Sequence, residues 1–422
     1  MKRIILITIS FTLLASSLNA IECKKEVQDL KSVRDIIQTG SKMPQKDITL
    51  VDGFRAMFHE GKVSGQLRSV YVQNDLETAT NTYTTAFGGL LKYETAKFNG
   101  VNLGFAMNYS EDISNISGDN GKGKRSDELS SSNEKYAQLS EAYIAYEGCV
   151  LDYKLGRQIV DTPLADSDDI RMIPNTFEGI VAQYPSDVFD VTLGFLNRWQ
   201  GVDAGLDDEW VKTGENGTTF IGVSYKGVVQ SSLWYYNISE QNNAIYADLA
   251  YTFEFSETSS LSASIQYLNE TEISNSGIEA NIFGALFEYT LKDLTFGFAY
   301  NTSAKEKGKS SFSGFGGGTL FTNMDTMILD EITQDREASS YVGGVSYALG
   351  DFSLLYAYGN FKGENDSLGD KEHIVEQDIG VEYNYNDELV AYIMYVASED
   401  KLNSLSTDND WNHLRVMVNY NF

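Results

Sequence analysis

Apolar and polar residues alternate along most of the chain after residue 62. The clearest run has Val101, Leu103, Phe105, Met107 and Tyr109 at every second position, with small or polar residues between them. Similar runs lie at 83–93, 189–195, 219–225, 245–253, 261–267, 294–300 and 352–358. A period of two places the apolar side chains on one face of a strand and the polar ones on the other. The chain is therefore predicted to be all-β, with roughly eighteen strands of about ten residues, the length of a tilted membrane strand.

The connections between these predicted strands form two sets that alternate. The short set lies at 96–100, 147–150, 185–187, 225–228, 290–292, 349–351 and 386–387. The long, polar set lies at 111–135, 161–175, 200–216, 301–338, 360–371 and 399–410. Strict alternation of this kind indicates an antiparallel barrel with short periplasmic turns and long outside loops. We therefore expect residues 62–422 to form a transmembrane antiparallel β-barrel of about 18 strands in the outer membrane of a Gram-negative bacterium.

The first 61 residues do not share this alternation. Residues 1–20 have the features of a signal peptide, with Lys2 and Arg3 before an apolar run and Ala20 at the cleavage point. Residues 21–61 contain two short stretches near helical spacing. They predict a helical segment that lies in the periplasm or plugs the barrel, with a loose tether as the alternative.

The chain ends on an alternating stretch, WNHLRVMVNYNF, over Trp411–Phe422. Its apolar residues occupy every second position from Leu414 to the terminal Phe422. A strand that ends on a terminal aromatic residue resembles the last strand of Gram-negative outer-membrane barrels. This resemblance implies that the strand closes the barrel and is recognised by the barrel-assembly machinery.

The composition supports a barrel of strands and turns. The chain has 36 Gly, 26 Tyr and 22 Phe, but only four Pro. Its formal charge is −28, and it becomes −30 when Lys2 and Arg3 leave with the signal peptide. Such a charge argues against nucleic acid as a partner and suits acidic loops facing solvent.

The predicted lumen side of the strands is small and polar. A tube of this strand number is roughly 35 Å across between backbones, and such side chains cannot fill it. We therefore expect a porin, a passive diffusion channel for small hydrophilic solutes and ions. The alternatives are an outer-membrane barrel acting mainly as an adhesin or surface protein, and a soluble secreted β-protein.

Enzymatic function is disfavoured by the distribution of chemically useful side chains. The chain has three histidines, His59, His373 and His413, and they are scattered. No acidic cluster has a spacing that demands a metal ion. We expect no catalytic residue, no metal site and no cofactor.

Strand parity predicts which charged residues face the lumen. The inward candidates are Arg68, Lys92, Lys154, Arg198, Arg415, Glu376, Asp378 and Glu382. Arg157 has lipid-side parity and lines the pore only if its strand bulges near Gly156. The acidic loops predict a mild cation preference at the channel mouth, which the inward Arg and Lys residues oppose.

The stretch 161–179, DTPLADSDDIRMIPNTFEG, resembles the third-loop region of OprD-type outer-membrane porins. The matching pieces are Thr162-Pro163, Asp166-Ser167-Asp168, Arg171, Pro174 and Phe177 with Gly179. Further resemblance lies in Gly316-Gly317-Gly318 with the following FTNMD, and in the strand at 376–385. The motifs are loose, and residues 23–61 do not match closely.

The resemblance implies a barrel of about 18 strands, a constriction built by inward-folded loops and a basic ladder that guides carboxylate solutes. By position it assigns Asp166, Asp168 and Arg171 to a constriction in the loop 161–176. The expected partners are outer-membrane lipid and lipopolysaccharide, small hydrophilic solutes and the assembly machinery. The oligomeric state stays open between a monomer and a homotrimer.

Cys23 and Cys149 are the only cysteines of the chain. Counting strands from a periplasmic N-terminus places both in the periplasm, a compartment kept oxidising. We expect a disulfide that ties the N-terminal segment to the barrel, with two unpaired thiols as the alternative.

Overall fold

The structure is a computed structural model that describes residues 50–77, 79–118, 124–130, 135–148, 150–205, 210–365, 369–402 and 410–422. The predicted signal peptide and residues 21–49 of the predicted N-terminal segment lie outside these ranges. Cys23 and Cys149 lie outside them as well, so the signal peptide and the disulfide stay predictions.

The described residues contain one α-helix followed by nineteen strands. Helix α1 spans Leu50–His59. The first strands are β1 Lys62–Leu76, β2 Thr82–Glu94, β3 Val101–Asp112, β4 Lys135–Glu147, β5 Asp152–Gln158, β6 Thr176–Tyr184, β7 Phe189–Gln200, β8 Val211–Lys212 and β9 Thr218–Tyr225. The others are β10 Val229–Ile238, β11 Asn242–Ser256, β12 Ser259–Glu272, β13 Ala280–Leu291, β14 Leu294–Ser303, β15 Glu337–Leu349, β16 Phe352–Asn365, β17 Asp370–Asn384, β18 Leu389–Asp400 and β19 Trp411–Asn421. Short 3-10 helices lie at Ser114–Ile116 and Leu329–Ile332.

Among these described elements, no helix combines the length and the apolar character needed to cross a membrane.

Eighteen of the strands close into a barrel, which confirms the predicted fold class. Each pairs antiparallel with the next along the chain, and β1 pairs with β19 from Gln66↔Asn421 to Leu76↔Trp411. The two-residue strand β8 pairs with the end of β7, and β7 continues the wall directly to β9. Closure removes exposed strand edges and satisfies backbone hydrogen bonds within lipid.

Strand β3 shows how the alternating sequence becomes two faces. The side chains of Phe105, Met107 and Tyr109 are 43%, 54% and 41% exposed, as expected of a lipid-facing surface. Asn108 and Ser110, between and after them, are 1% and 0% exposed on the lumen side. The wall therefore follows the period-two pattern of the sequence.

The connections follow the predicted sorting only in part. The turns at the end that holds α1 and Phe422 are short, and the long connection 304–336 begins and ends at the other end. The connection 239–241 also lies at that other end, although it has only three residues. The predicted loop 360–371 is mostly strand, because β16 and β17 pair as far as Asn365↔Asp370. The expected strict alternation is therefore wrong at these two positions.

One side of the barrel interior is filled by an apolar core. Inward-facing Phe177, Trp199 and Phe220 are buried there, and loop residues Leu164 and Phe315 pack against this cluster. The rings of Trp199 and Phe315 meet edge to face at 5.4 Å between centroids. The expectation of a small, polar lumen wall is wrong on this side, because large inward side chains hold two loops inside the barrel. On the other side, beside β1 and β19, the interior keeps open cavities.

Candidate functional site

Two loops fold into the barrel and touch each other. We call residues 159–175 loop L3 and residues 304–336 loop L7. The Asp166 N–H donates to the Phe315 carbonyl at 2.9 Å, and the Phe315 N–H donates to the Leu164 carbonyl at 3.0 Å. Gly316 has φ +123°, and a Cβ there would lie 2.5 Å from the Asp166 carbonyl oxygen. Glycine therefore permits the close approach of the two backbones.

Loop L3 is tied to the wall by Arg68 of β1. Its guanidinium donates to both carboxylate oxygens of Asp169, at 2.6 and 3.0 Å, and also to the Arg171 carbonyl. Its Nε donates to the Asn419 side chain at 2.7 Å. The fork of the guanidinium matches the two carboxylate oxygens. The structure places Arg68 inward and beneath L3, where Asp169 balances its charge.

Loop L7 is anchored to the opposite side of the closing seam. Arg415 of β19 donates to Asp325 at 2.5 Å, and their side chains are only 2% and 7% exposed. Glu376 accepts the Thr326 N–H at 3.0 Å, and Asp378 accepts the Asp325 N–H at 3.2 Å. Glu376 and Asp378 are 0% and 4% exposed. These two strand acids therefore lie beneath L7 and hold it, rather than lining open water as expected.

A cavity of about 700 Å³ lies between L3, L7 and the wall formed by β1 and β19. We call this space the eyelet. Its titratable and charged lining residues are Glu128, Asp168, Asp203, Asp325, Glu331, Arg171, His413 and Arg415. Among the described lining residues, five carboxyl groups thus face two guanidinium groups and one imidazole.

Arg171 of L3 is shared among three carboxylates from three different loops. Its Nε lies 3.6 Å from Glu128, and its Nη1 lies 3.9 Å from both Asp168 and Asp203. These distances are ion-pair distances, longer than good hydrogen bonds. One cation therefore offsets only part of the negative charge that L3 and its neighbouring loops bring to the eyelet.

Crowding of these acids changes their ionisation. Burial raises the pKa of Asp168 to about 7, the nearby Asp203 carboxylate adds to this, and Arg171 opposes it. Burial likewise raises the pKa of Glu331 to about 7, with further increases from Glu376 and Asp330.

Glu128 behaves in the opposite way. Burial alone would raise the pKa of Glu128, but His413, the Asn74 amide and Arg171 outweigh it and hold the pKa below its usual value. The Asn74 side chain donates to Glu128 at 2.7 Å. The eyelet therefore contains a carboxylate that stays ionised beside carboxyls that titrate near neutral pH.

Lys92 and Lys154 lie inside the barrel toward its periplasmic end. The Lys92 Nζ is 3.2 Å from the Glu141 carboxylate and 3.8 Å from the Glu94 carboxylate. The Lys154 Nζ lies 4.6 Å from the centroid of the Tyr143 ring. Lys154 also lines a cavity of about 340 Å³. The two lysines are therefore accompanied by two carboxylates rather than forming a free basic surface.

Arg157 and Arg198 lie on the outward face of the wall, contrary to the inward orientation expected for Arg198. A register shift in the β6–β7 pairing places Arg198 opposite Glu178. Its Nη2 donates to both Glu178 oxygens at 2.8 Å. Glu178 alternates with the fully buried, inward-facing Phe177, so this ion pair faces outward.

Arg157 belongs to the same outward cluster. Its Nε lies 3.4 Å from Glu178, and its guanidinium lies 4.7 Å from the centroid of the Trp210 ring. The pairing of β4 with β5 runs through Gly156 without a register shift. The bulge that would have turned Arg157 toward the pore is therefore absent from these described strands.

The sequence also matches a known family. The description of that family is "outer membrane porin, OprD family", and the match covers residues 55–422. The chain belongs to the OprD family of outer membrane porins. It is thus a porin of the Gram-negative outer membrane, in contact with that membrane and with the solutes that cross it.

Solved structures of OprD-family porins share this barrel. Acinetobacter baumannii OccAB4 is 17% identical to the chain with a TM-score of 0.72, and the match covers 86% of this chain and 98% of OccAB4. Pseudomonas aeruginosa OpdQ is also 17% identical with a TM-score of 0.72, and the match covers 87% of this chain and 99% of OpdQ. Pseudomonas aeruginosa OpdK, solved with vanillate, is 16% identical with a TM-score of 0.72 and covers 87% of this chain and 99% of its own. At these identities the likeness concerns the fold. No curated protein matches the chain significantly.

Sequence reasoning missed several eyelet residues of this porin. Glu128, Asp203 and Glu331 stand in long polar loops, where their local sequence resembles that of other loop acids. The glycine triplet of L7 was the available signal that another loop approaches L3 closely. Gly317 lies against Asp168, and a Cβ added at Gly317 would be 3.0 Å from the Asp168 carboxylate. Asp166 itself accepts the Asp168 N–H at 2.7 Å and shapes the tip of L3.

Proposed function

We propose that small hydrophilic solutes cross this porin by passive diffusion through the eyelet, and that cations pass more readily than anions. The observation that carries the proposal is the excess of carboxyl groups over guanidinium groups around the eyelet. Charges along a narrow aqueous path set which ions pass. Loop L3, predicted as the constriction at 161–176, supplies one side, and L7 supplies another.

The basic ladder implied by the family resemblance is largely neutralised in this chain. Arg68 pairs with Asp169, Arg415 with Asp325, and Lys92 with Glu141. Vanillate, the compound solved with OpdK, is an aromatic carboxylate. Guidance of such an anion requires cations whose charge is free, and the paired wall bases of this porin offer less of it. This arrangement supports cation passage over carboxylate passage.

Planar-bilayer recording of the purified full-length protein tests the proposal. In a potassium chloride gradient, we expect discrete channel openings. The reversal potential should have the sign that results when potassium is more permeant than chloride. A reversal potential of the opposite sign would show that the basic residues outweigh the carboxylates, and the proposal would then be wrong.

Two finer proposals concern partners. The barrel-assembly machinery recognises β19, whose terminal Phe422 pairs with Gly65 through backbone hydrogen bonds of 2.9 and 3.0 Å. Replacing Phe422 with Ser should lower the amount of porin in the outer membrane, whereas the same change at exposed Phe352 should not. The native mass of the detergent-solubilised protein separates a homotrimer from a monomer.

A further inference from the structure

The C-terminal end of helix α1 is docked onto the barrel rim. The Met57 carbonyl accepts the Ala96 N–H at 2.9 Å, and the Phe58 carbonyl accepts the Tyr93 hydroxyl at 2.5 Å. The last carbonyls of a helix have no partner within the helix, so these two bonds cap it. Gly53 lies directly on Phe98, where an added Cβ would come within 2.2 Å of the ring. The helix is therefore held at a defined place.

That place is on the outer side of the wall, at the periplasmic rim. Tyr93 pairs with Val63 on β1 and with Phe105 on β3, whose side chains are 62% and 43% exposed on the lipid-facing surface. The preceding residue, Lys92, points the other way and reaches Glu141 inside the barrel. Because neighbouring strand residues face opposite sides, Tyr93 belongs to the lipid-facing row. A helix bonded to its hydroxyl cannot plug the lumen.

Helix α1 also has an apolar face that the barrel leaves uncovered. Val51, Phe54 and Phe58 are 67%, 55% and 46% exposed, and their spacing of three and four residues places them on one side. Asp52 and Ala56 lie on the other exposed side of the helix, whereas Arg55, four residues after Val51, borders the apolar face. Phe58, at one end of this face, is also the residue whose carbonyl binds Tyr93 of the lipid-facing row.

We propose that α1 is an interfacial helix whose Val51, Phe54 and Phe58 face rests in the inner, phospholipid leaflet of the outer membrane. Continuity with the lipid-facing wall identifies the occupant as phospholipid. A helix with one apolar and one polar face lies in the membrane plane with its apolar side buried at the headgroup and acyl boundary. This role anchors the chain N-terminal to the barrel and is separate from solute passage.

Spin-label accessibility of the full-length protein in phospholipid vesicles tests this. In a Cys23→Ser, Cys149→Ser background, a single nitroxide is placed at position 54 or 58, and at position 56, on the other exposed side of the helix, as the matched control. We expect oxygen collisions to exceed those of a water-soluble nickel chelate at 54 and 58, and the reverse at 56. Nickel accessibility at 54 and 58 equal to that at 56 would overturn the proposal.

A second measurement keeps both native cysteines, in case their replacement disturbs folding. A benzophenone amino acid at position 54 is activated by light in the same vesicles, with position 56 again as the control. Adducts with the mass of one phospholipid at 54, and few at 56, support the proposal. Adducts within the chain or to a second copy would show that protein covers this face, and the proposal would be wrong.

Discussion

Charge at the eyelet is controlled by single carboxyls whose ionisation lies close to neutrality. The pKa of Asp168 and that of Glu331 are both raised to about 7, chiefly by burial. Each group is neutral well below that pH and negative well above it. The number of negative charges in the eyelet therefore grows as the pH rises through 7.

We predict that the cation-to-anion permeability ratio rises between about pH 6 and pH 8. A combined Asp168→Asn, Glu331→Gln variant should show a lower ratio at pH 8 and a flatter profile, as measured by reversal potentials. Glu215→Gln is the matched control, because Glu215 is 67% exposed and lies outside the described eyelet lining. A profile in the double variant as steep as the native one would contradict the assignment.

The buried pair of Arg415 and Asp325 makes a second prediction at this scale. Arg415→Met leaves Asp325 without its guanidinium partner, close to the carboxyl groups of Glu376 and Asp378 that hold the same turn of L7. Breaking a buried ion pair by removing one partner costs about 3–5 kcal/mol. We expect L7 to lose its docked position, so single-channel conductance should increase and fluctuate more. The Arg415→Lys variant keeps the charge, so its conductance should lie between those of the native protein and Arg415→Met. A native conductance in Arg415→Met would count against L7 as a wall of the eyelet.

Residue orientation was predictable from sequence where the strand was regular. Period two placed Arg68, Lys92 and Arg415 on the inward face, because neighbouring side chains of a regular strand alternate. It failed for Arg198, because a register shift adds one residue and reverses the side on which the next side chain lies. The ion-pair partners of Arg68 and Arg415 were not predictable, since Asp169 and Asp325 come from loops about a hundred residues away.

Loop L3 and loop L7 act as one element, since they share backbone hydrogen bonds and a common apolar support. Sequence motifs indicated both loops, but not the aromatic residues beneath them. Phe220 and Trp234 are on the inward face of β9 and β10, and a period-two pattern does not separate a lumen residue from a residue of a buried core. An inward strand residue is buried in the core where a loop folds over it, and it faces the lumen where no loop does.

We predict that deleting residues 165–173 increases single-channel conductance. The deletion removes Asp169, which holds L3 to Arg68, and Arg171, which faces the eyelet. Shortening the exposed turn 385–388 is the control, because its residues lie outside the described eyelet lining, and the conductance of that variant should stay native. Equal conductance in both variants and the native protein would show that L3 does not restrict the passage.

For the whole molecule, the barrel could be predicted from sequence, because lipid imposes alternation and closure on every strand. The eyelet could be predicted only in outline, because it is assembled from L3, L7 and two further loops. The formal charge of −28 is spread over the entire chain. From sequence alone, the acidic outside loops would be the expected source of a cation preference, at the exposed mouth of the channel. The carboxyl groups of the eyelet would be a second, deeper source of the proposed preference.

The two sources respond differently to salt. The Debye length is about 10 Å at 0.1 M ionic strength and about 3 Å at 1 M, and buried charges are screened less than exposed ones. We therefore predict that cation preference declines with salt but persists at about 1 M, because Glu128 and Asp203 line a partly enclosed cavity. The Asp168→Asn, Glu331→Gln variant should lose part of this persistent component at pH 8. Reversal potentials measured over a salt series check both expectations, and a preference that vanishes at high salt would place selectivity at the exposed loops instead.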